Sequence, residues 1–399
     1  MSNRRNLILL FFTLVVVMMG FGMVIPILPF YIDSFGASGS AMGLLMASYA
    51  VMQFLFAPIW GQLSDRFGRK PMIIIGVLGN ALSQLLFGLS TQLWMLFAAR
   101  ILSGILSSAT MPSAMAYIGD STSDQDRGGG MGIVGAAMGV GMVLGPGIAG
   151  TMAEISLPAP FFAAAGLSTL AAFLILILLP ESLPPAARDQ PTRSLRGPDL
   201  GGMWRALSSP IAVLLLLAFL VSFGLTNFES VFGLYALERF DYGPQEVGLI
   251  LTVIGLTSAI VQGGLTGPFT RKWGEVTIVR ACLLGSVGGF LVLLLAWNYI
   301  TIMLTSAIFI LSNSMLRPAI SSLISKRSIS GQGIAMGLNN AFMSLGRIVG
   351  PILAGMVFDL HLSLPYIIGA MIMLIGFIIC LRWLKAEASF QPTPFPAQD

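Results

Sequence analysis

The chain has 399 residues, 56% hydrophobic and 10% charged, with a mean hydropathy of +0.88 and a formal charge of +4. A soluble domain carries roughly 25% charged residues, so this composition excludes a water-soluble fold and requires a bilayer as solvent. The two cysteines, Cys282 and Cys380, lie in apolar runs, which excludes a disulfide framework or a cysteine metal centre.

From the N-terminus, Arg4-Arg5 precedes an apolar run from Leu7 to Tyr31. That run is too long for a signal-peptide core and has no small-residue cleavage site, so it reads as a first membrane span. Scanning for stretches of about 20 apolar residues gives twelve candidates: 7–31, 41–62, 72–90, 93–119, 130–154, 159–180, 210–235, 245–270, 277–297, 300–324, 332–358 and 363–384. With the N-terminus inside, 17 of the 21 Lys and Arg fall on the cytoplasmic side, the charge bias of inner loops. Arg239 is outside, and Arg100, Arg317 and Arg347 fall within spans. The bias accounts for the basic balance without a nucleic-acid partner.

The stretch from Glu181 to Ser209 is charged and Pro-rich. It divides the chain into 1–180, a cytoplasmic linker at 181–209, and 210–399. The halves repeat. Residues 131–154 and 336–359 match at nine of 24 positions at an offset of 205, including Gly145-Pro146 against Gly350-Pro351. Gly61, Arg66 and Gly68 align with Gly267, Lys272 and Gly274, and Met111-Pro112 aligns with Arg317-Pro318. The expected fold is therefore all-α: twelve transmembrane helices in two six-helix bundles. Parallel repeats of this kind place a substrate site between the halves.

Between the second and third spans the chain reads Gly61-Gln-Leu-Ser-Asp65-Arg66-Phe-Gly68-Arg69-Lys70-Pro71. Glycine suits the reversal of a tight turn, Asp65 suits a neighbouring helix N-terminus, and Arg69 is placed to pair with Asp120. The fifth span carries Gly135-x3-Gly139-x-Gly141-x3-Gly145-Pro146-Gly147-x2-Gly150, and the fourth carries Arg100-x3-Gly104.

Together these motifs resemble the signature loop, the antiporter motif and the fourth-helix motif of the major facilitator superfamily. The twelve-helix drug:proton antiporters are the most similar group. The runs Ser222–Ser230 and Met315–Ile320 resemble Gram-positive multidrug exporters. The resemblance implies the major facilitator fold, a bacterial cell membrane, cytoplasmic termini, a monomer and proton-driven export of small amphipathic drugs. It also implies a gating loop built on Gly61, Asp65, Arg66, Gly68, Arg69 and Asp120, and a fifth-helix motif built on Gly141, Gly145, Pro146 and Gly150. The chain departs from the group where it has Gln84 and Ser314 in place of a Glu and an Asp. Val17 and Ser83 stand where tetracycline exporters have Asp, so a metal–tetracycline substrate loses its ligands.

Glu229 is the one acid deep inside an apolar run. An intramembrane carboxylate is costly unless protonated, paired or facing water, and is a proton-carrier candidate by default. Arg317 and Arg347 lie in the same half, and one of them is expected to pair with ionised Glu229 and release it on protonation. Arg100 is open between a structural and a coupling role. Three intramembrane arginines against one acid favour zwitterionic, neutral or anionic substrates over lipophilic cations. Gln53, Met111, Phe232 and Asn313 join Glu229 and Arg317 as candidates for the substrate cavity. The chain has no Walker loop, its single histidine is His361, and it has no His/Cys metal set, so no catalysis, metal or bound cofactor is expected; the drive is a proton gradient. The rival readings are an exporter of an endogenous metabolite or lipid, and a receptor built on a transporter scaffold.

Overall fold

The computed structural model describes residues 2–123, 127–184, 197–328 and 331–384. Arg188, Arg193, Arg196 and Lys385 of the basic set lie outside them. Among the described residues twelve helices are long and apolar enough to cross a membrane. They are α1 (Arg4–Ser34), α2 (Gly39–Phe67), α3 (Arg69–Gly88), α4 (Leu93–Ser121), α5 (Gly128–Ala153) and α6 (Ala159–Leu178). The second half holds α7 (Ala212–Phe240), α8 (Pro244–Trp273), α9 (Glu275–Leu293), α10 (Tyr299–Arg327), α11 (Gln332–Phe358) and α12 (Leu364–Trp383). The protein is a multi-pass, all-helical membrane protein. No strand occurs among the described residues.

The repeat seen in the sequence is a repeat of packing. In the first bundle α1 lies along α5, α2 against α4 and α3 against α6. In the second α7 lies along α11, α8 against α10 and α9 against α12. Small residues make the long contacts possible, because backbones approach where no side chain intervenes. A Cβ at Gly145 would stand 2.6 Å from the Met19 carbonyl oxygen on α1. Its counterpart Gly350 would meet the Phe223 carbonyl oxygen on α7 at 2.8 Å. The bundles meet along two seams, α2 with α11 and α5 with α8.

Helix ends differ from the sequence expectation in an instructive way. The stretch 61–71 reads as a loop, yet Gly61 to Phe67 continues α2 and α3 begins at Arg69. The reversal rests on Gly68 alone, whose φ of 111° is open to glycine and strained for other residues. Two helices carry local breaks: a 3₁₀ turn at Ser107–Ala109 in α4 and a π turn at Val261–Leu265 in α8. The first stands just ahead of Met111-Pro112, where proline removes a helix hydrogen bond. The linker region is not uniformly irregular either. Leu200–Ala206 forms a short helix, capped by the Asp199 carboxylate, which accepts from the Gly202 N–H at 2.8 Å.

Exposed apolar side chains such as Leu170, Phe173, Ile177 and Leu304 face outward from the bundles, as a lipid-solvated surface requires. Trp94, Trp273, Trp297 and Trp383 are exposed at helix ends, where amphipathic rings anchor at the headgroup level.

Candidate functional site

Glu229 sits on α7, and α7 is fixed against α11 by several contacts. The Ser222 hydroxyl donates to the Met343 carbonyl at 2.7 Å, and the Thr226 hydroxyl donates to the Gly346 carbonyl at 3.3 Å. The buried Asn227 amide donates to the Pro365 carbonyl on α12 at 2.8 Å. Arg347 follows Gly346 directly, so this close approach brings its guanidinium into the field of the carboxylate. Arg347, and less strongly Arg317 from α10, bring positive charge to bear on Glu229. The expected direct pair is absent in this conformation: among the described residues no hydrogen bond or ion pair closes on Glu229.

Arg347 instead reaches across to the first bundle. Its Nη1 donates to Gln53 Oε1 at 3.4 Å, and Gln53 Nε2 donates to the Tyr49 hydroxyl at 3.2 Å. Arg100 lies on the far side of Tyr49, with its guanidinium carbon 5.6 Å from the Tyr49 ring and 5.6 Å from the Phe87 ring. Its Nη2 is 3.0 Å from the Met46 sulfur, and its buried Nε has no partner. A polar thread therefore runs Arg100–Tyr49–Gln53–Arg347 from α4 through α2 to α11, ending beside Glu229. Tyr49 was missed by sequence reasoning. The available signal was its i, i+4 spacing from Gln53, which puts both on one helix face.

The other cavity candidates divide. Arg317 is exposed and makes no hydrogen bond or ion pair among the described residues. Met111 is half-buried on α4. Phe232 is fully buried, 5.0 Å from the Phe228 ring, and its side chain is sealed in the core of the second bundle in this conformation. Asn313 is also buried, with an Nδ2 that meets no acceptor. Phe232 is excluded from the cavity because its face of α7 turns into an aromatic cluster of Phe228, Phe309 and Tyr366.

The positions where acids are missing are structural. Gln84 donates to the Gly20 carbonyl at 2.6 Å and ties α3 to α1. Ser314 donates to Ser258 at 3.0 Å and ties α10 to α8. Ser83 bonds its own helix at Gly79, and Val17 is buried core.

The loop motif forms a closed network at the basic end of the bundle. Arg69 Nε donates to Asp120 Oδ2 at 2.9 Å, as expected from sequence, and Arg69 also pairs with Asp65. Glu181, read from sequence as the start of the linker, belongs to this network. Its carboxylate accepts from the Arg69 N–H at 2.9 Å and the Lys70 N–H at 3.2 Å, capping α3. Arg66 projects outward over the Phe67 ring, 5.0 Å from its centre.

The opposite end is sealed along both seams. A Cβ at Gly43 would overlap the Pro351 carbonyl oxygen, and one at Gly355 would overlap the Gly39 carbonyl oxygen. On the other seam a Cβ at Gly248 would stand 2.5 Å from the Pro146 carbonyl oxygen, and one at Gly150 would stand 2.7 Å from that of Pro244. These are the same contacts under the 205-residue repeat. Toward the basic end the contacts cease: added Cβ atoms at Gly132, Gly135, Gly263, Gly264, Gly333 and Gly337 would meet nothing within 4 Å. The space between the bundles is therefore open at the basic end and shut at the other. Asp359, an exposed acid at the end of α11, is part of the seal. It accepts from the Gly39 N–H at 2.6 Å, the Ser40 N–H at 2.9 Å and the Ser40 hydroxyl.

Two pseudo-symmetric bundles, closed at one end around charges at their interface, define a secondary transporter. The profile of the Major Facilitator Superfamily matches residues 10–331 and 214–399, and the chain belongs to that superfamily. It is 34% identical over 388 residues to Multidrug resistance protein 1 of Bacillus subtilis, covering 97% of this chain and 98% of that one. It is 32% identical over 379 residues to Quinolone resistance protein NorA of Staphylococcus aureus, covering 95% and 96%. Among solved structures, the nucleoside transporter NupG superposes with a TM-score of 0.78 at 14% identity, covering 96% of this chain and 100% of that one. A bacterial homologue of the human lysosomal transporter Spinster, inward-facing and unoccupied, gives 0.72 at 16%, covering 96% and 95%. The last two likenesses concern the fold.

Proposed function

We propose that the protein is a proton-coupled exporter of small amphipathic drugs in a bacterial plasma membrane. The basic end is the cytoplasmic end and both termini lie there; the chain works as a monomer with no bound cofactor. The observation that carries this reading is Glu229: one half-buried carboxylate at the bundle interface, under two arginines, in a space open at one end only. Sequence similarity to proteins named for multidrug and quinolone resistance supports the choice of cargo.

In the state seen here, cargo enters from the cytoplasm or inner leaflet and lodges near Glu229, Arg317 and Gln53. The bundles then rock, so that the basic end closes and the opposite end opens. Cargo leaves, and a proton from outside binds the Glu229 carboxylate. Protonation removes the negative charge facing Arg347 and Arg317, which changes the relative stability of the two conformations. On return the proton is released inward. Coupling of this kind requires only that cargo and proton favour opposite states. Arg347 is suited to transmit it, because it faces Glu229 in one bundle and holds Gln53 of the other.

The test is drug susceptibility of an efflux-deficient bacterium expressing the wild type or Glu229→Gln. The wild type is expected to protect and the variant to leave the host as sensitive as the empty vector. Equal protection by both, at equal membrane expression, would remove Glu229 from the coupling step.

A further inference from the structure

The two seams are related by the internal repeat, yet among the described residues only one of them carries a polar tie. On the α2/α11 seam, Asp359 at the end of α11 accepts the Gly39 and Ser40 backbone N–H groups that open α2, and the Ser40 hydroxyl as well. These N–H groups belong to the first turn of a helix, where a carboxylate satisfies unpaired donors and meets the positive end of the helix dipole. This acceptor comes from the other bundle, 320 residues away in the chain, and adds to the local cap, in which the Ser38 hydroxyl accepts from the Ala41 N–H at 3.2 Å.

Its counterpart under the repeat is Glu154, facing the start of α8. That acid is exposed and makes no such bond among the described residues. The chemistry explains the difference. Pro244 stands where the first seam has Gly39, and proline has no N–H to offer. The start of α8 is capped from within instead, by Glu246, whose carboxylate accepts from the Gly243 N–H at 3.0 Å. One seam is thus held by shape alone, the other by shape and a shared carboxylate.

We propose that Asp359 is a gate-positioning residue: its carboxylate latches α2 to α11 at the non-basic end and sets the balance between the two conformations of the transport cycle. When that end opens, Asp359 and the start of α2 must separate, because they sit on opposite bundles. The separation leaves the Gly39 and Ser40 N–H groups without their carboxylate acceptor, and only the Ser38 hydroxyl, which accepts from the Ala41 N–H, still caps α2. It also leaves Asp359 without the cationic helix end, close to Asp33 and Glu238, whose charges share the same mouth. Both consequences disfavour opening. Losing an N-cap shifts a conformational equilibrium by roughly 3- to 30-fold, enough to change which conformation predominates without touching Glu229.

This inference rests on the alternating-access reading above. The test places spin labels on Ile155→Cys and Leu249→Cys, two exposed positions flanking the uncapped seam, in full-length protein in lipid nanodiscs. The native Cys282 and Cys380 are buried and are expected to react slowly with the label. Pulsed electron–electron distances then report opening at a seam that Asp359 does not touch. Asp359→Ala is expected to raise the ratio of long to short distances by roughly 3- to 30-fold. Asp359→Asn keeps one acceptor oxygen and is expected to fall between that variant and the wild type. Ser40→Ala, which removes only the hydroxyl bond, is expected to move the ratio the same way by less. A purely structural role would lower yield or melting temperature in all three variants and leave the distance ratio unchanged. An unchanged ratio in folded Asp359→Ala overturns the latch while leaving the exporter reading intact. A wild type with one fixed distance, with and without a proton gradient and cargo, overturns alternating access and the latch with it.

Discussion

The two bundles share a backbone plan, yet they hold their intramembrane charges in different ways. In the first bundle Gln84 and Asn80 spend their side chains on neighbouring helices, Gln84 on Gly20 and Asn80 on Ser168 at 2.9 Å. Arg100 there is locked between two aromatic rings. In the second bundle Glu229 and Arg317 have no direct partner among the described residues, and Arg347 holds only one long bond. The first half holds its intramembrane arginine in place and the second half carries the uncommitted charge. Duplication supplies two bundles of one plan, and the proposed proton coupling draws on the charges in which they differ.

Changes that erase this contrast are expected to have the largest effects. Glu229→Gln removes the acid that lies deep inside an apolar span and is expected to lower gradient-driven transport by a factor of about 100 or more, toward leak, with folding preserved. Transport assays beside a thermal unfolding scan check both parts. Gly43→Leu attacks the sealed end, where even a Cβ would overlap the Pro351 carbonyl oxygen. It is expected to hold the seam apart and to cut turnover at least about tenfold, in line with an overpacking cost of about 1–3 kcal/mol. Cross-linking yield across α2 and α11 would measure the change.

Smaller effects are expected where the thread between the bundles is cut. Gln53→Ala breaks the Arg347 contact but leaves Glu229 and its arginines in place. A loss of one neutral-to-charged hydrogen bond is worth about 1.5–3 kcal/mol at most. Its length of 3.4 Å places it at the low end, so transport is expected to fall a few-fold. Gly68→Ala is expected to cost stability, not transport specificity. The residue holds φ at 111° and its Cβ would collide with the Glu181 carboxylate. An ordinary residue held in this positive-φ, extended region costs of order 1–3 kcal/mol, which a melting-temperature shift would register. Last, three arginines against one acid are expected to make a lipophilic cation a poorer cargo than a zwitterion of similar size. Competition between the two for efflux checks the order.

Much of this was legible in the sequence because the physics behind it is periodic or one-sided. Spans follow from apolar length, and the repeat from matched Gly-Pro pairs. The Arg69–Asp120 pair was legible because both residues had few alternatives at the same end. The polar thread was not, because it joins bundles from distant parts of the chain, and Tyr49 looks like any aromatic in an apolar helix. Phe232 was misplaced for a related reason: proximity to Glu229 along the helix says nothing about which face it shares. Glu181 reads from sequence only as the start of the linker, and Asp359 only as an acid at a helix end. Their roles as caps depend on which helix N-terminus folds against them, and that is a tertiary fact.

The account stands on proton coupling through Glu229. The most direct measurement reconstitutes wild type and Glu229→Gln in proteoliposomes and imposes a proton gradient with a quinolone as cargo. Wild type is expected to accumulate the quinolone against its gradient and to stop when a protonophore collapses the pH difference, while Glu229→Gln only equilibrates it. Uphill accumulation by Glu229→Gln at the wild-type level would contradict the account.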